Sequence, residues 1–390
     1  MKKILLSAVF MLGACTLFAQ TPAANNPDVI EDSLQVNALW DAPEYQPANV
    51  NANSYSNTEI SSMISDLYVF SWDRGGAPNP AYDIYSGMAV RQYNPGTQVD
   101  FTASPIASDW IDENNAGYPA RYVSSLEPGI LKNDDSTFIA LTFFAGDFNP
   151  TTGPFGGDFF LNLYLWNYNN SNALTLYKTI NLTHSGGHLP KGWIHQDVNN
   201  ADSIAITWEQ DGRIFTKAGV IEGDGLHLGN TGVLDVPYSG TKPDVAMMRN
   251  SDGALDLYYV FNEQSNQRLY VYRGDFATLY NLTGTLLPVS QLYARTAMGT
   301  FGLPRIDAPD KAQYPNQENV WSCVVRDHIP GYDFIFVATA SNLTGITEKF
   351  LNDGSLTALP NITLSDASLG NFSCRPTVAF SNQDLNIFYA

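Results

Sequence analysis

KPDVAMMRNSDGALDLYYVFNEQSNQRLYVYRG, residues 242–274, holds three short apolar runs separated by two polar turns. Val245–Met248 is followed by Asn250–Gly253, then by Leu255–Phe261, and Leu269–Tyr272 comes after a second polar break. Runs of this length, rich in Tyr, Val and Phe, read as strands and are too short for amphipathic helices. Asn-Ser-Asp-Gly supplies the turn chemistry that a hairpin needs between its strands.

The same plan returns four more times. It appears as EPGILKNDDSTFIALTFFAG with FFLNLYLWN, as HQDVNNADSIAITWEQDGRIFTKAG, as LPRIDAPDKAQYPNQENVWSCVVRDHIPGYDFIFVATA, and as CRPTVAFSNQDLNIFYA. Pro128, Gln196, Pro243, Pro304 and Pro376 fall at matching points, with Ile130, Val198, Val245, Ile306 and Val378 two residues later. The intervals are 68, 47, 61 and 72 residues, as loops of variable length around a constant core would produce. TLYKTINLT, LLPVSQLYA and SLTALPNITL are candidate fourth strands. Four antiparallel strands repeated radially make a β-propeller, so the expected fold class is all-β.

The last repeat has only two strands, while DLYVFSW (Asp66–Trp72) and GMAVRQY (Gly87–Tyr93) are two strands without a repeat of their own. The expectation is a five-bladed propeller over residues 63–390, closed by these N-terminal strands, which would hide both sheet edges. Six blades is the alternative.

Residues 1–20, MKKILLSAVFMLGACTLFAQ, have the charged start, short apolar run and small-residue end of a secretory signal peptide. Leu12–Cys15 is an imperfect lipobox, so a lipid anchor at Cys15 is the rival reading. Residues 21–62, rich in Asn, Ala, Pro and Ser, read as a flexible leader. No later run is long enough for a transmembrane helix. Expected localisation is therefore export: outer-membrane surface, periplasm or extracellular space.

The 39 acidic against 20 basic residues give a net charge of −19, which repels nucleic acid and excludes it as a partner. Beyond the signal only Cys323 and Cys374 remain, too few for a disulfide scaffold but able to pair as a clasp beside the ring closure.

Three of the five histidines lie in HSGGHLPKGWIHQD, residues 184–197. On the expected propeller, His184 and His188 sit in the loop entering one blade, and His195 and Asp197 begin its inner strand. His328 falls on the same face. Imidazoles with a carboxylate would accept a divalent metal, although the spacing matches no tight signature and no cofactor is required. The plainer alternative makes Gly186-Gly187 a turn and leaves the histidines on the surface. Trp193 could stack a sugar ring, and Arg305 and Arg375, beside inner-strand prolines, could receive an anion. Together His184, His188, Trp193, His195, Asp197, Arg305, His328 and Arg375 are the candidate ligand-binding residues.

This repeat form resembles secreted β-propeller proteins of Bacteroidota. The resemblance covers residues 63–390 and rests on no single motif. No nucleophile elbow, P-loop or zincin motif is present. The sequence therefore favours a non-catalytic binding or scaffold module for an envelope protein or polysaccharide. The alternative is a glycan-active hydrolase with carboxylates in the central cavity, for which Asp197, Asp244 and Asp307 are the inner-strand acids.

Overall fold

The computed structural model describes residues 55–62, 67–74, 85–92, 107–111, 128–130, 137–145, 159–167, 174–181, 187–195, 202–222, 225–263, 265–308, 319–329, 332–341, 345–351, 377–381 and 384–388. The described chain is nearly all β, in six sheets that follow one another along the sequence. The first holds β1 (Tyr55–Ser62), β2 (Leu67–Arg74), β3 (Tyr85–Gln92) and β4 (Ala107–Ile111). The second holds β5 (Pro128–Ile130), β6 (Thr137–Ala145), β7 (Phe159–Asn167) and β8 (Leu174–Asn181). The third is built on β9 (His188–His195), β10 (Asp202–Gln210), β11 (Arg213–Glu222) and β12 (Gly225–Leu234).

The fourth sheet runs from β13 (Gly240–Arg249) through β14 (Leu255–Glu263) and β15 (Arg268–Asp275). A one-turn helix α1 (Phe276–Tyr280) and the two-residue strand β16 (Leu286–Leu287) follow before its last strand, β17 (Ser290–Thr296). In the fifth sheet Pro304 divides the first strand into β18 (Thr300–Phe301) and β19 (Arg305–Asp307). Both pair with β20 (Trp321–Ile329), which continues to β21 (Tyr332–Ser341) and β22 (Gly345–Leu351). The sixth is the hairpin β23 (Thr377–Ser381) and β24 (Asp384–Phe388).

Each four-stranded sheet is an up-and-down antiparallel meander, the blade plan expected from the repeat. First strands lie beside first strands: β9 next to β13, β13 next to β19, β19 next to β23, and β23 next to β1. The strands assigned to closing the last blade, Leu67–Arg74 and Tyr85–Gln92, instead pair with each other and with β1 and β4 in a sheet of their own. β1 falls inside the stretch expected to be a leader.

Alternation along β13 builds two cores at once. Val245 and Met247 pack with Ala205, Ile214, Tyr259 and Phe261 between the third and fourth sheets. Ala246 and Met248 pack with Ile306, Trp321, Val324 and Phe336 between the fourth and fifth. A strand buried on both faces has no polar side to alternate with, and every residue of β14 is buried.

The segment between β15 and β17 leaves its own sheet. Asp275 caps α1 by accepting from the Thr278 backbone N–H at 2.6 Å. β16 then pairs in parallel with β12, extending the outer edge of the third sheet to a fifth strand. A Cβ on Gly229 of β12 would lie 2.5 Å from the Tyr280 carbonyl oxygen, a backbone atom that cannot swing aside. Gly229→Ala is therefore expected to lower unfolding free energy by about 2 kcal/mol in urea titration.

Candidate functional site

Charged side chains are rarely interior unless held by partners, because desolvation costs several kcal/mol on the order-of-magnitude scale. Three neighbouring first strands nonetheless carry them in one tier. Lys191 on β9 is 1% exposed, Asp244 on β13 is 6%, and Arg305 and Asp307 on β19 are 3% and 4%. Lys191 is the fourth residue of β9 and Asp244 the fifth of β13, so they sit at similar depth in adjacent strands.

Asp244 shares its face of β13 with Ala246 and Met248, and so points towards the fifth sheet. Its Oδ2 accepts the Ile306 backbone N–H at 3.0 Å, and Oδ1 accepts that of Val245 at 2.9 Å. Ile306 itself faces the fourth sheet, which sends Arg305 and Asp307 to the opposite side of β19. Asp307 Oδ1 accepts the Ala308 N–H at 2.8 Å, and Arg305 Nη1 donates to the Pro304 carbonyl at 2.9 Å.

One end of this tier is a rim made by the hairpins between second and third strands. Asp211 and Gly212 both have positive φ, +51° and +70°, and form the two-residue turn joining β10 to β11. Glu209, just before that turn, takes hydrogen bonds from Thr241 Oγ1 and from the Lys242 backbone N–H at 3.1 Å. Lys242 has φ +55° immediately before Pro243, and the register of β13 with β14 shifts there. This is a bulge of the kind that re-aims side chains beside functional sites. Lys242 Nζ then donates to the Phe301 carbonyl at 3.2 Å, and Asn262 Nδ2 to that of Gly302 at 2.7 Å. Glu209, Lys242 and Asn262 thus stitch the third, fourth and fifth sheets at the rim. Asp327, fully buried, accepts the Met298 and Gly299 N–H groups at 2.7 and 2.9 Å.

The histidine stretch lies differently from expectation. His188 opens β9, opposite Glu209, and His195 closes it, opposite Ser203. Seven steps of about 3.3 Å put their backbones roughly 23 Å apart, too far for one ion. Among the described residues no three of His, Cys, Asp and Glu gather as a metal site. His184, Asp197, Arg375 and Cys374 lie outside the described residues. Trp193 is mid-strand and half-buried, not in a loop. Arg305 is interior, and His328 is in β20, its backbone opposite Thr300 and Asp333. Lys191 carried no sequence signal beyond its alternation with Trp193 and His195.

Cys323 is a fully buried thiol, and burial pushes it up to about 12. Burial also raises the Tyr259 and Tyr293 hydroxyls well above their usual range, the latter with help from Glu348. Unfolded, these groups lose protons from about pH 8.5 (Cys) and about pH 10 (Tyr). The unfolded state then binds fewer protons than the folded one, so stability falls with rising pH. Urea titrations under reductant should show a decline beginning near pH 8.5, and Cys323→Ala should delay the onset to about pH 10.

No family model matches this chain, and no curated protein does. Solved structures do resemble it. A GH93 α-L-arabinofuranosidase of Fusarium graminearum, in complex with arabinobiose, is 10% identical with TM-score 0.44, over 77% of this chain and 82% of that one. An endo-arabinase of Bacteroides thetaiotaomicron is 10% identical with TM-score 0.40, over 80% and 95%. A bifunctional GH43-CE protein of Bacteroides eggerthii is 11% identical with TM-score 0.35, over 74% and 34%. These neighbours are hydrolases rather than scaffolds, and the expectation of a non-catalytic module is corrected on that finding.

Proposed function

We propose that this chain is an exported, glycan-active hydrolase whose carboxylates lie where the first strands meet. The observation that carries the reading is the pair Asp244 and Asp307, both nearly excluded from water, on adjacent first strands. Asp244 Oδ2 is 3.0 Å from the Ile306 nitrogen, one residue before Asp307. Standard backbone and side-chain dimensions then keep the two carboxylates on the order of 10 Å apart at most. Glycoside hydrolysis uses two carboxyl groups at separations of about 5–9.5 Å, one as acid and one as nucleophile or base. Asp244, accepting backbone donors on both oxygens, is assigned the carboxylate role, and Asp307 that of its partner.

The architecture that goes with this reading is a six-bladed β-propeller. Six sequential sheets, a separate N-terminal sheet, and β1 beside β23 support it over five blades. Export rests on residues 1–20, and the mass of the mature N-terminus distinguishes cleavage after Ala19 or Gln20 from lipidation at Cys15. Among the described residues no helix is long and apolar enough to cross a membrane.

The test is to incubate the mature protein with arabinan, arabino-oligosaccharides and a panel of other plant and microbial polysaccharides, and to separate the products by anion-exchange chromatography. Release of oligosaccharides by the wild type, lost in Asp244→Asn, is the expected result. A wild type inert across the whole panel overturns the reading.

A further inference from the structure

Every first strand that packs between two sheets should carry apolar residues at alternate positions, and β13 does so with Val245 and Met247. β9 does not. Ala205 and Tyr259 each stand four residues before the glutamate that closes their strand region, Glu209 and Glu263. Trp193 is opposite Ala205 as Val245 is opposite Tyr259, so Lys191, Trp193 and His195 occupy the positions that β13 fills with Pro243, Val245 and Met247. Departures from core patterning of this kind are expected at functional places.

The location of the indole makes the departure specific. Trp193 packs against the core between the third and fourth sheets and also against the core between the fourth and fifth. Those cores lie on opposite faces of β13. β13 pairs only with β14, so the way from one face to the other is over the open edge of β13, which faces away from the rest of its sheet. The indole therefore lies across that edge, partly exposed, one tier step from Asp244. Lys191 and His195, its neighbours two residues away on the same side of β9, are 1% and 7% exposed, so of these three positions the indole is the one that reaches solvent most.

Resting on the hydrolase reading above, we propose that Trp193 is the sugar-stacking platform of the same site. Its flat face would meet a sugar ring brought beside Asp244, as aromatic side chains do where an apolar surface must stay open to solvent and to a polar ligand. The substrate class follows: a glycosyl residue presenting a flat C–H face, bound across the inner edge of the fourth sheet.

Trp193→Ala and Trp193→Phe are to be measured with arabino-oligosaccharides and with whichever panel substrate the wild type cleaves. The expected result for Trp193→Ala is a KM raised at least about 10-fold with kcat within about threefold, as loss of uniform binding requires. Trp193→Phe, which keeps a flat apolar ring and the packing over β13, should raise KM only about two- to fivefold. A second readout is ligand-induced change of tryptophan fluorescence, present in the wild type and absent in Trp193→Phe. Unchanged KM in both variants, or a fluorescence response that survives in Trp193→Phe, overturns the platform while leaving the hydrolase reading intact. Binding without cleavage, with fluorescence lost in Trp193→Phe, supports the platform and removes the hydrolase. If the wild type neither binds nor cleaves any of these glycans, both fail.

Discussion

On the proposed hydrolase reading, replacing either first-strand carboxylate, Asp244 or Asp307, should remove hydrolysis almost completely. Asp244→Asn and Asp307→Asn are each expected to lower kcat by about 10²–10⁴-fold, the range associated with positioned acid–base groups. The amide retains the size of the side chain and one oxygen acceptor. Asp244→Asn can therefore still receive one of the two backbone N–H groups, from Val245 or Ile306. Thermal unfolding of the two variants should stay close to the wild type, which separates a chemical defect from a folding one. Full activity in both would sink the assignment of the carboxylates.

Asp327 should give the largest loss of stability from a single polar change. It has no exposed surface, and its two oxygens satisfy the N–H groups of Met298 and Gly299 in the segment entering the fifth sheet. Asp327→Ala removes both acceptors and leaves two donors with nothing in place of them. The lost acceptor is a buried carboxylate, but Met298 is 50% exposed and water can reach part of this segment, so a loss of about 2 kcal/mol is expected. Asp327→Asn should lose less, since one acceptor remains, while its new NH₂ faces a donor. Urea unfolding decides the matter: a difference below about 0.5 kcal/mol for the alanine variant would mean that solvent or a shifted loop replaces the carboxylate.

Much of this architecture could be read from the sequence, because the repeat is carried by apolar periodicity. Val245 and Ile306 do lie in first strands, and TLYKTINLT supplies the fourth strand β8. In the third sheet the second and third strands are those the repeat predicts, but the first is HLPKGWIH, which lacks the run of apolar residues found in its counterparts. The sequence match therefore falls on Val198, beyond His195 where that strand ends. LLPVSQLYA reads as one strand but divides: Leu286–Leu287 joins the third sheet, and Ser290–Thr296 closes the fourth. Nothing local marks that division, since a parallel addition to a distant edge depends on Gly229 and Gly232 letting α1 and its connection approach. SLTALPNITL lies outside the described residues, and Gly345–Leu351 takes the fourth place in the fifth sheet. Asp244 and Asp307 were visible as inner-strand acids; their burial and the bond to Ile306 were not, because both depend on how neighbouring sheets meet.

The crossing of β16 onto β12 also sets an order of events for a chain that grows from its N-terminus. Until Leu287 has been delivered, the outer edge of β12 at Val233 and Leu234 lacks its last partner, although the rest of the third sheet is already complete in sequence. A nascent chain paused after Leu234 would present an open strand edge, the feature that recruits unwanted neighbours. Fragments or fusions cut at 235–239 would inherit that edge permanently, whereas cuts after Thr296 would not. The third sheet is thus not a heritable unit by itself: a duplication or graft that copies it without Leu286–Leu287 copies an unfinished edge.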